Sequence, residues 1–129
     1  MNDINIALDI DGTITKQPGF FPLLSKSVHA SGGKVYVVTS RSDTDKVRSH
    51  TQRELNSYGI WYDDLIIISD ARSNRIPCPH TELDWYQQYL WQKVWVCLDR
   101  NVSIVFEDDA KVVDLFKKYA PGIQVFQVV

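Results

Sequence analysis

Short apolar runs alternate along the chain with segments whose apolar residues recur at helical spacing. The predicted strands are Ile4–Ile10, Val35–Val38, Leu65–Ile68, Val102–Phe106 and Ile123–Val128. Helices are predicted between them, from Pro18 or Pro22 to Gly32, from Ser42 or Asp43 to Tyr58, from Thr81 to Arg100, and over Val112–Tyr119. Such alternation favours a parallel sheet, because a crossover between two parallel strands usually contains a helix.

This order of elements predicts an α/β fold, a single doubly wound (Rossmann-like) sheet of five parallel strands with helices on both faces. The continuously apolar run Val35–Val38 supports burial of both faces. A chain of 129 residues has the length of one domain, so we assign residues 1–129 to a single domain.

Composition narrows the class of function. The net charge of -2 argues against dedicated nucleic-acid binding, although it leaves a nucleotide-sized substrate open. No apolar run approaches the ~20 residues of a membrane span, and the first residues lack the basic start of a signal peptide. We therefore expect a cytoplasmic protein with no membrane association, in which Cys78 and Cys97 are reduced thiols.

Polar side chains follow the predicted strands, where a doubly wound sheet binds its ligands. They are Asp9 and Asp11 after the first strand, Thr39, Ser40 and Arg41 after the second, Ser69 and Asp70 after the third, and Glu107, Asp108 and Asp109 after the fourth. So many carboxylates in one cleft are unfavourable without a cation between them. Mg²⁺ suits such a site, since it binds carboxylates and accepts a phosphate oxygen. Together with Lys93 and a hydroxyl, this set predicts phosphoryl transfer.

The segment Asp9-Ile10-Asp11-Gly12-Thr13 is the most specific of these signals. An apolar strand leads directly into two carboxylates, and Gly12 then allows the backbone to turn sharply beside a ligand. The alternative is a capped turn with solvated acids, but the strand context favours a site.

Four segments in this order resemble the motifs of the haloacid dehalogenase superfamily of phosphohydrolases, over nearly the whole chain. They are Asp9–Thr13, the strand Val35–Val38 ending in Thr39, Lys93 on the third helix, and Ile104–Asp109. The resemblance implies a Mg²⁺-dependent phosphatase that hydrolyses phosphoric monoesters. An acid at Asp11 is the arrangement of phosphatases and phosphomutases rather than of dehalogenases or transporting ATPases.

The resemblance also implies a role for each matched residue. Asp9 would be the nucleophile that becomes an aspartyl-phosphate, and Asp11 would be the general acid and then the general base. Thr39 would hydrogen-bond the phosphoryl oxygens, and Lys93 would neutralise transition-state charge. The metal ligands would be the Asp9 carboxylate, the Asp11 backbone carbonyl and an acid of the fourth motif, for which we favour Asp108.

Some assignments stay open. Glu107 is the rival of Asp108 for the metal, whereas Asp109 could cap the next helix. Lys93 lies close in sequence to Glu107 for this family, so Arg72 and Arg75 are its rivals. The candidate substrate-binding residues are Gly12, Ser40, Arg41, Arg72 and Arg75, and helix capping is the alternative for Arg41.

The intervals between the motifs are too short for a cap domain, so we expect an open cleft. Capless members of the family often act on large substrates or use a neighbouring subunit as a lid, so the substrate can be a small molecule or a macromolecule and a homo-oligomer is one possible arrangement. Residues 69–80 are either a local flap or a surface connection. The other functions considered are a phosphotransferase or phosphomutase, a non-catalytic phosphate-binding or interaction module, and a receiver domain.

Overall fold

The structure is a computed structural model that describes residues 3–68 and 77–129. Its strands are β1 (Ile6–Leu8), β2 (Val35–Thr39), β3 (Asp64–Ile67), β4 (Ile104–Glu107) and β5 (Gln124–Gln127). Its long helices are α1 (Phe20–Ala30), α2 (Asp45–Tyr58), α3 (Trp85–Asp99) and α4 (Ala110–Tyr119). A short distorted helical turn, Ile10–Ile14, follows β1.

The strands form one sheet in the order β3-β2-β1-β4-β5, and every pair is parallel. The predicted α/β doubly wound sheet is therefore confirmed. The strand order reverses at β1, where Leu8 pairs with Val37 on one side and with Phe106 on the other. In sheets of this kind the crevice for a ligand opens at that reversal, outside the carboxyl ends of the strands.

Helices cover both faces of the sheet, because the central strands are apolar on both sides. Ile6 and Leu8 point into the core beneath α1 and α2, whereas Ala7 belongs to the core beneath α3 and α4. All three side chains are at most 2% exposed. No cap domain stands over the sheet in the described part of the chain.

The starts of α2 and α3 differ from the predicted ones because the capping side chains lie further along the chain. Helix α3 begins at Trp85 rather than Thr81, since Asp84 and Gln87 form a reciprocal capping box there. Thr44, rather than Ser42 or Asp43, caps α2 by accepting from the Val47 amide.

Two further expectations bear on the class of protein. Cys78 and Cys97 are both free thiols, as predicted. Among the described residues, no helix combines the length and the apolar character that crossing a bilayer requires.

Candidate active site

The turn after β1 places Asp9 beside β4. The Asp9 amide donates to the carbonyl of Phe106 at 3.1 Å, so the carboxylate lies next to Glu107 and Asp108. Gly12 then adopts a φ of +79°, which favours glycine. A Cβ at Gly12 would overlap the Asp108 carboxylate and would lie 2.6 Å from its Cγ. Glycine is therefore needed here both for the backbone conformation and for the close approach of Asp108.

Lys93 joins two acids in a buried network. Its Nζ lies 3.1 Å from Asp9 Oδ1 and 2.8 Å from Glu107 Oε1. The side chains of Lys93, Asp9 and Glu107 are 6%, 11% and 2% exposed, so water screens these ion pairs little. The predicted proximity of Lys93 to Asp9 is present, and α3 supplies it from the opposite face to α1. Nothing in the sequence except the opposite charges indicates that Lys93 pairs with Glu107.

Burial controls the protonation of this network. It raises the pKa of Asp9 to about 6, although Lys93 opposes the shift. Burial and a hydrogen bond with Asp9 raise the pKa of Asp108 to about 6. Burial also disfavours the Lys93 ammonium, but the carboxylates of Asp9 and Glu107 outweigh that effect and raise its pKa. The site therefore holds more negative charge than one lysine compensates at neutral pH.

The acids fit a hard divalent cation. One carboxylate oxygen from each of Asp9, Glu107 and Asp108 lies within 4.8 Å of the others. An all-oxygen donor set of this kind suits Mg²⁺, and a dication would offset the burial and the repulsion that raise the two pKa values. The geometry brings Glu107 and Asp108 into the same group, so both remain candidates. The Asp11 carboxylate is not a member, and the predicted use of its backbone carbonyl stays a prediction.

Asp11 instead belongs to a second, less buried network with Arg41. The Arg41 guanidinium donates to Asp11 through Nε at 3.0 Å and Nη2 at 2.8 Å, and to Glu54 Oε1 at 2.9 Å. Hydrogen bonding to Arg41 holds the pKa of Asp11 below its usual value. Arg41 therefore places a second cation beside Asp11, in addition to the lysine beside Asp9. Arg41 does not cap α2, which Thr44 does.

An open cleft of about 260 Å³ is lined by the acids and by Lys93. Its lining includes Asp9, Asp11, Thr39, Ser40, Lys93 and Asp108. Thr39 is buried, and its hydroxyl accepts from the Arg41 amide at 3.2 Å. Ser40 is exposed at the mouth of the cleft.

Other predicted site residues either cap a helix or lie outside the described part of the chain. Asp109 caps α4 by accepting from the Lys111 amide, which confirms the capping alternative. Ser69, Asp70, Arg72 and Arg75, together with most of the predicted flap, lie outside the described residues. The catalytic roles of Asp9, Asp11, Thr39 and Lys93 stay predictions.

Sequence reasoning did not identify Thr13 or Glu54 as members of the site. Thr13 donates to Asp9 Oδ2 at 3.4 Å, and Glu54 orients Arg41 from α2. Thr13 is part of the motif and could have been found from its spacing to Asp9. Glu54 sits on an ordinary polar helix face and carries no such signal.

No protein-family model matches the chain, and no curated protein matches it in sequence. Solved structures do share its fold. A chain in the structure of the Pnkp1/Rnl/Hen1 complex matches with a TM-score of 0.64 and 19% identity, over 98% of this chain and 46% of that one. A chain in the structure of the Pnkp1/Rnl/Hen1 RNA repair complex gives a TM-score of 0.66 and 20% identity, over 98% and 42%.

The core domain of a protein assigned as a phosphoglycolate phosphatase from Streptococcus pneumoniae TIGR4 has a TM-score of 0.56 and 13% identity, over 100% of this chain and 82% of that one. The present chain spans less than half of the two chains from the RNA repair assemblies. At these identities the likeness shows a common fold.

Proposed function

We propose that the chain is a Mg²⁺-dependent phosphatase that hydrolyses phosphoric monoesters through an aspartyl-phosphate on Asp9. The observation that carries this proposal is the placement of Asp9 between a buried lysine and two further acids, at the floor of an open cleft. The assignment of the Streptococcus pneumoniae neighbour as a phosphatase supports the reaction class. So does the resemblance of the four motifs to the haloacid dehalogenase superfamily.

In the first step, a carboxylate oxygen of Asp9 attacks phosphorus while the bond from phosphorus to the ester oxygen breaks. The leaving alkoxide takes a proton from Asp11 and departs as the alcohol. Lys93 is fixed by Glu107, so its ammonium already lies beside Asp9 when the phosphoryl group arrives. Such preorganised charge stabilises the transition state without having to reorient.

In the second step, water attacks the phosphorus of the aspartyl-phosphate and Asp11 accepts the proton. The bond from phosphorus to Asp9 breaks, which releases inorganic phosphate and restores the carboxylate. The exposed position of Asp11 lets it act in both steps, provided that it leaves the Arg41 guanidinium. The low pKa of Asp11 in that ion pair suits the role of base, and loss of the pair is needed for the role of acid.

Asp9, Glu107 and Asp108 would hold Mg²⁺. When bound, the ion supplies positive charge to the phosphoryl oxygens and to the crowded carboxylates. Glu107 also accepts from Lys93 through Oε1 and from the Asp108 amide through Oε2, which fixes its carboxylate beside the other two acids.

The decisive experiment measures phosphate release from a panel of small phosphate esters and phosphopeptides, with Mg²⁺ and with EDTA. Asp9→Asn should abolish turnover, whereas Asp114→Asn, which changes an exposed acid of α4, should leave it unchanged. Acid-quenched Asp11→Asn should carry phosphate label on Asp9. Near-normal turnover of Asp9→Asn, or no label under any condition of the panel, contradicts the covalent mechanism.

A further inference from the structure

A second cleft adjoins the candidate active site and shares Ser40 with it. It has a volume of about 210 Å³ and is lined by Ser40, Arg41, Ile68, Trp85, Tyr86 and Tyr89, among others. The shared residue makes the two clefts neighbours along one surface. A molecule whose phosphate occupies the first cleft can therefore extend its leaving group into the second.

Aromatic rings dominate one side of the second cleft. Trp85 and Tyr86 open α3 and are 59% and 44% exposed. The Trp85 ring lies nearly parallel to that of Tyr89, with 6.0 Å between the centroids and 8° between the planes. Neither Trp85 nor Tyr86 belongs to the buried core. Exposed aromatic surface beside a reactive cleft is a common sign of ligand binding.

Some of the polar groups around these rings have partners, and Ser42 and Asp43 also line the cleft. The Arg41 guanidinium is engaged by Asp11 and Glu54, and the Tyr89 hydroxyl donates to the Ser40 carbonyl at 3.0 Å. The cleft thus presents the exposed rings of Trp85 and Tyr86 together with polar groups. A flat ring with polar edges fits such a surface, because its face can stack on the aromatic side chains while its edges meet the polar groups, whereas a bare polyol has no face to stack.

We propose that this second cleft binds the base of a nucleotide, which makes nucleoside monophosphates, free or at the end of a short single strand, the substrate class. In a nucleotide a sugar separates the phosphate from the base, so the two groups can occupy the two clefts at once. An aryl phosphate cannot span them in the same way, because its ring is joined directly to the ester oxygen. This inference rests on the proposed phosphatase function.

The first test compares kcat/KM for adenosine 5′-monophosphate with that for ribose 5-phosphate, which lacks the base. The natural chain should prefer the nucleotide by at least about tenfold, the scale of stacking one base on an aromatic side chain. Trp85→Ala should lower that ratio about tenfold, and Trp85→Phe should retain most of it. Trp61→Ala is the matched control, because this exposed tryptophan stacks on His29 near the amino end of β3. It should leave the ratio unchanged.

A second test needs no turnover. Asp9→Asn is titrated with adenosine 5′-monophosphate, with ribose 5-phosphate and with a short 5′-phosphorylated oligonucleotide. Tighter binding of either base-bearing ligand than of ribose 5-phosphate, lost on adding Trp85→Ala, supports the inference even if no hydrolysis is found. Whichever of the two binds more tightly shows whether the substrate is a free nucleotide or a strand end. Equal handling of the nucleotide and ribose 5-phosphate overturns it, as does a preference for hexose or aryl phosphates. Hydrolysis of those other esters would still support the proposed phosphatase function.

Discussion

Two ion-pair networks approach the cleft from opposite sides, and burial separates their behaviour. In the first, Lys93 is enclosed between Asp9 and Glu107, and none of the three side chains is more than 11% exposed. Because water is largely excluded, an unpaired charge at this position would lower the free energy of unfolding, and the three charged side chains stabilise one another. The pKa of Asp9 is accordingly raised, even with a lysine at 3.1 Å.

In the second network Arg41 lies between Asp11 and Glu54, and the Asp11 side chain is 66% exposed. Water solvates Asp11, so its ion pair with Arg41 lowers its pKa rather than compensating for burial. Two aspartates in one motif thus have pKa shifts of opposite sign. The comparison indicates a fixed charge framework around Asp9 and an exchangeable partner at Asp11, as a nucleophile and an acid–base group require.

The largest effect should come from removing the cation of the buried network. Lys93→Met leaves two carboxylates without their partner, and we expect a loss of about 3–5 kcal/mol in the free energy of unfolding. The value of kcat should also fall by ~10²-fold or more. Urea unfolding and phosphate release measure the two effects.

Arg41→Met is the matched control for stability and should cost less than Lys93→Met, because its network is less buried and Asp11 is exposed to water. Adding Glu107→Gln to Lys93→Met should recover part of the lost stability. Equal losses for the two single variants would show that burial does not distinguish the networks.

A smaller effect is expected at the turn that supports the buried acids. Gly12 and Gly59 have similar positive φ values, +79° and +80°, but a Cβ at Gly59 has its nearest neighbour at 3.5 Å. Gly59→Ala should therefore cost only the conformational strain, about 1 kcal/mol. Gly12→Ala should cost more and weaken Mg²⁺ binding at least ~10-fold, since it displaces Asp108. Unfolding and Mg²⁺ titration of both variants test this, and equal behaviour would contradict the close approach to Asp108.

The smallest effect is a pH dependence of opposite sign in the two networks. Without Mg²⁺, Asp9 binds its proton more tightly in the folded chain, with a pKa of about 6 against 3.8 when unfolded. The free energy of unfolding should therefore rise by about 1–2 kcal/mol as the pH falls from 7 to 5. Asp11 acts in the opposite direction, and its stabilisation is lost only below that window.

Urea unfolding in EDTA across this range measures the effect. Saturating Mg²⁺ should remove the rise, because the metal and the proton compete for the same carboxylates. Asp108 also has a raised pKa of about 6, so Asp9→Asn should remove part of the rise and the double variant with Asp108→Asn should remove it entirely. A rise that persists in the double variant would assign it to another group.

The fold was largely predictable from local patterns. The apolar runs located all five strands, although the structure shortens the first from Ile4–Ile10 to Ile6–Leu8. Helix starts were less predictable, since several polar residues near Trp85 can cap a helix and only the capping box formed by Asp84 decides between them. Both partners of that box, Asp84 and Gln87, are present in the sequence, but only the structure shows that they pair with each other's backbone.

For the site, the sequence alone located Asp9, Asp11, Gly12 and the acids after β4, because a turn of this composition directly after a buried strand has few other uses. Only the tertiary structure decided how these groups are partnered. The order β3-β2-β1-β4-β5 sets Glu107 beside Asp9, and the packing of α3 and of Arg41 against them selects one cation for each aspartate. The attraction between two charges depends on their distance in space and not on their separation in the sequence. The pairing of each aspartate with its cation therefore follows from which helices cover which face of the sheet.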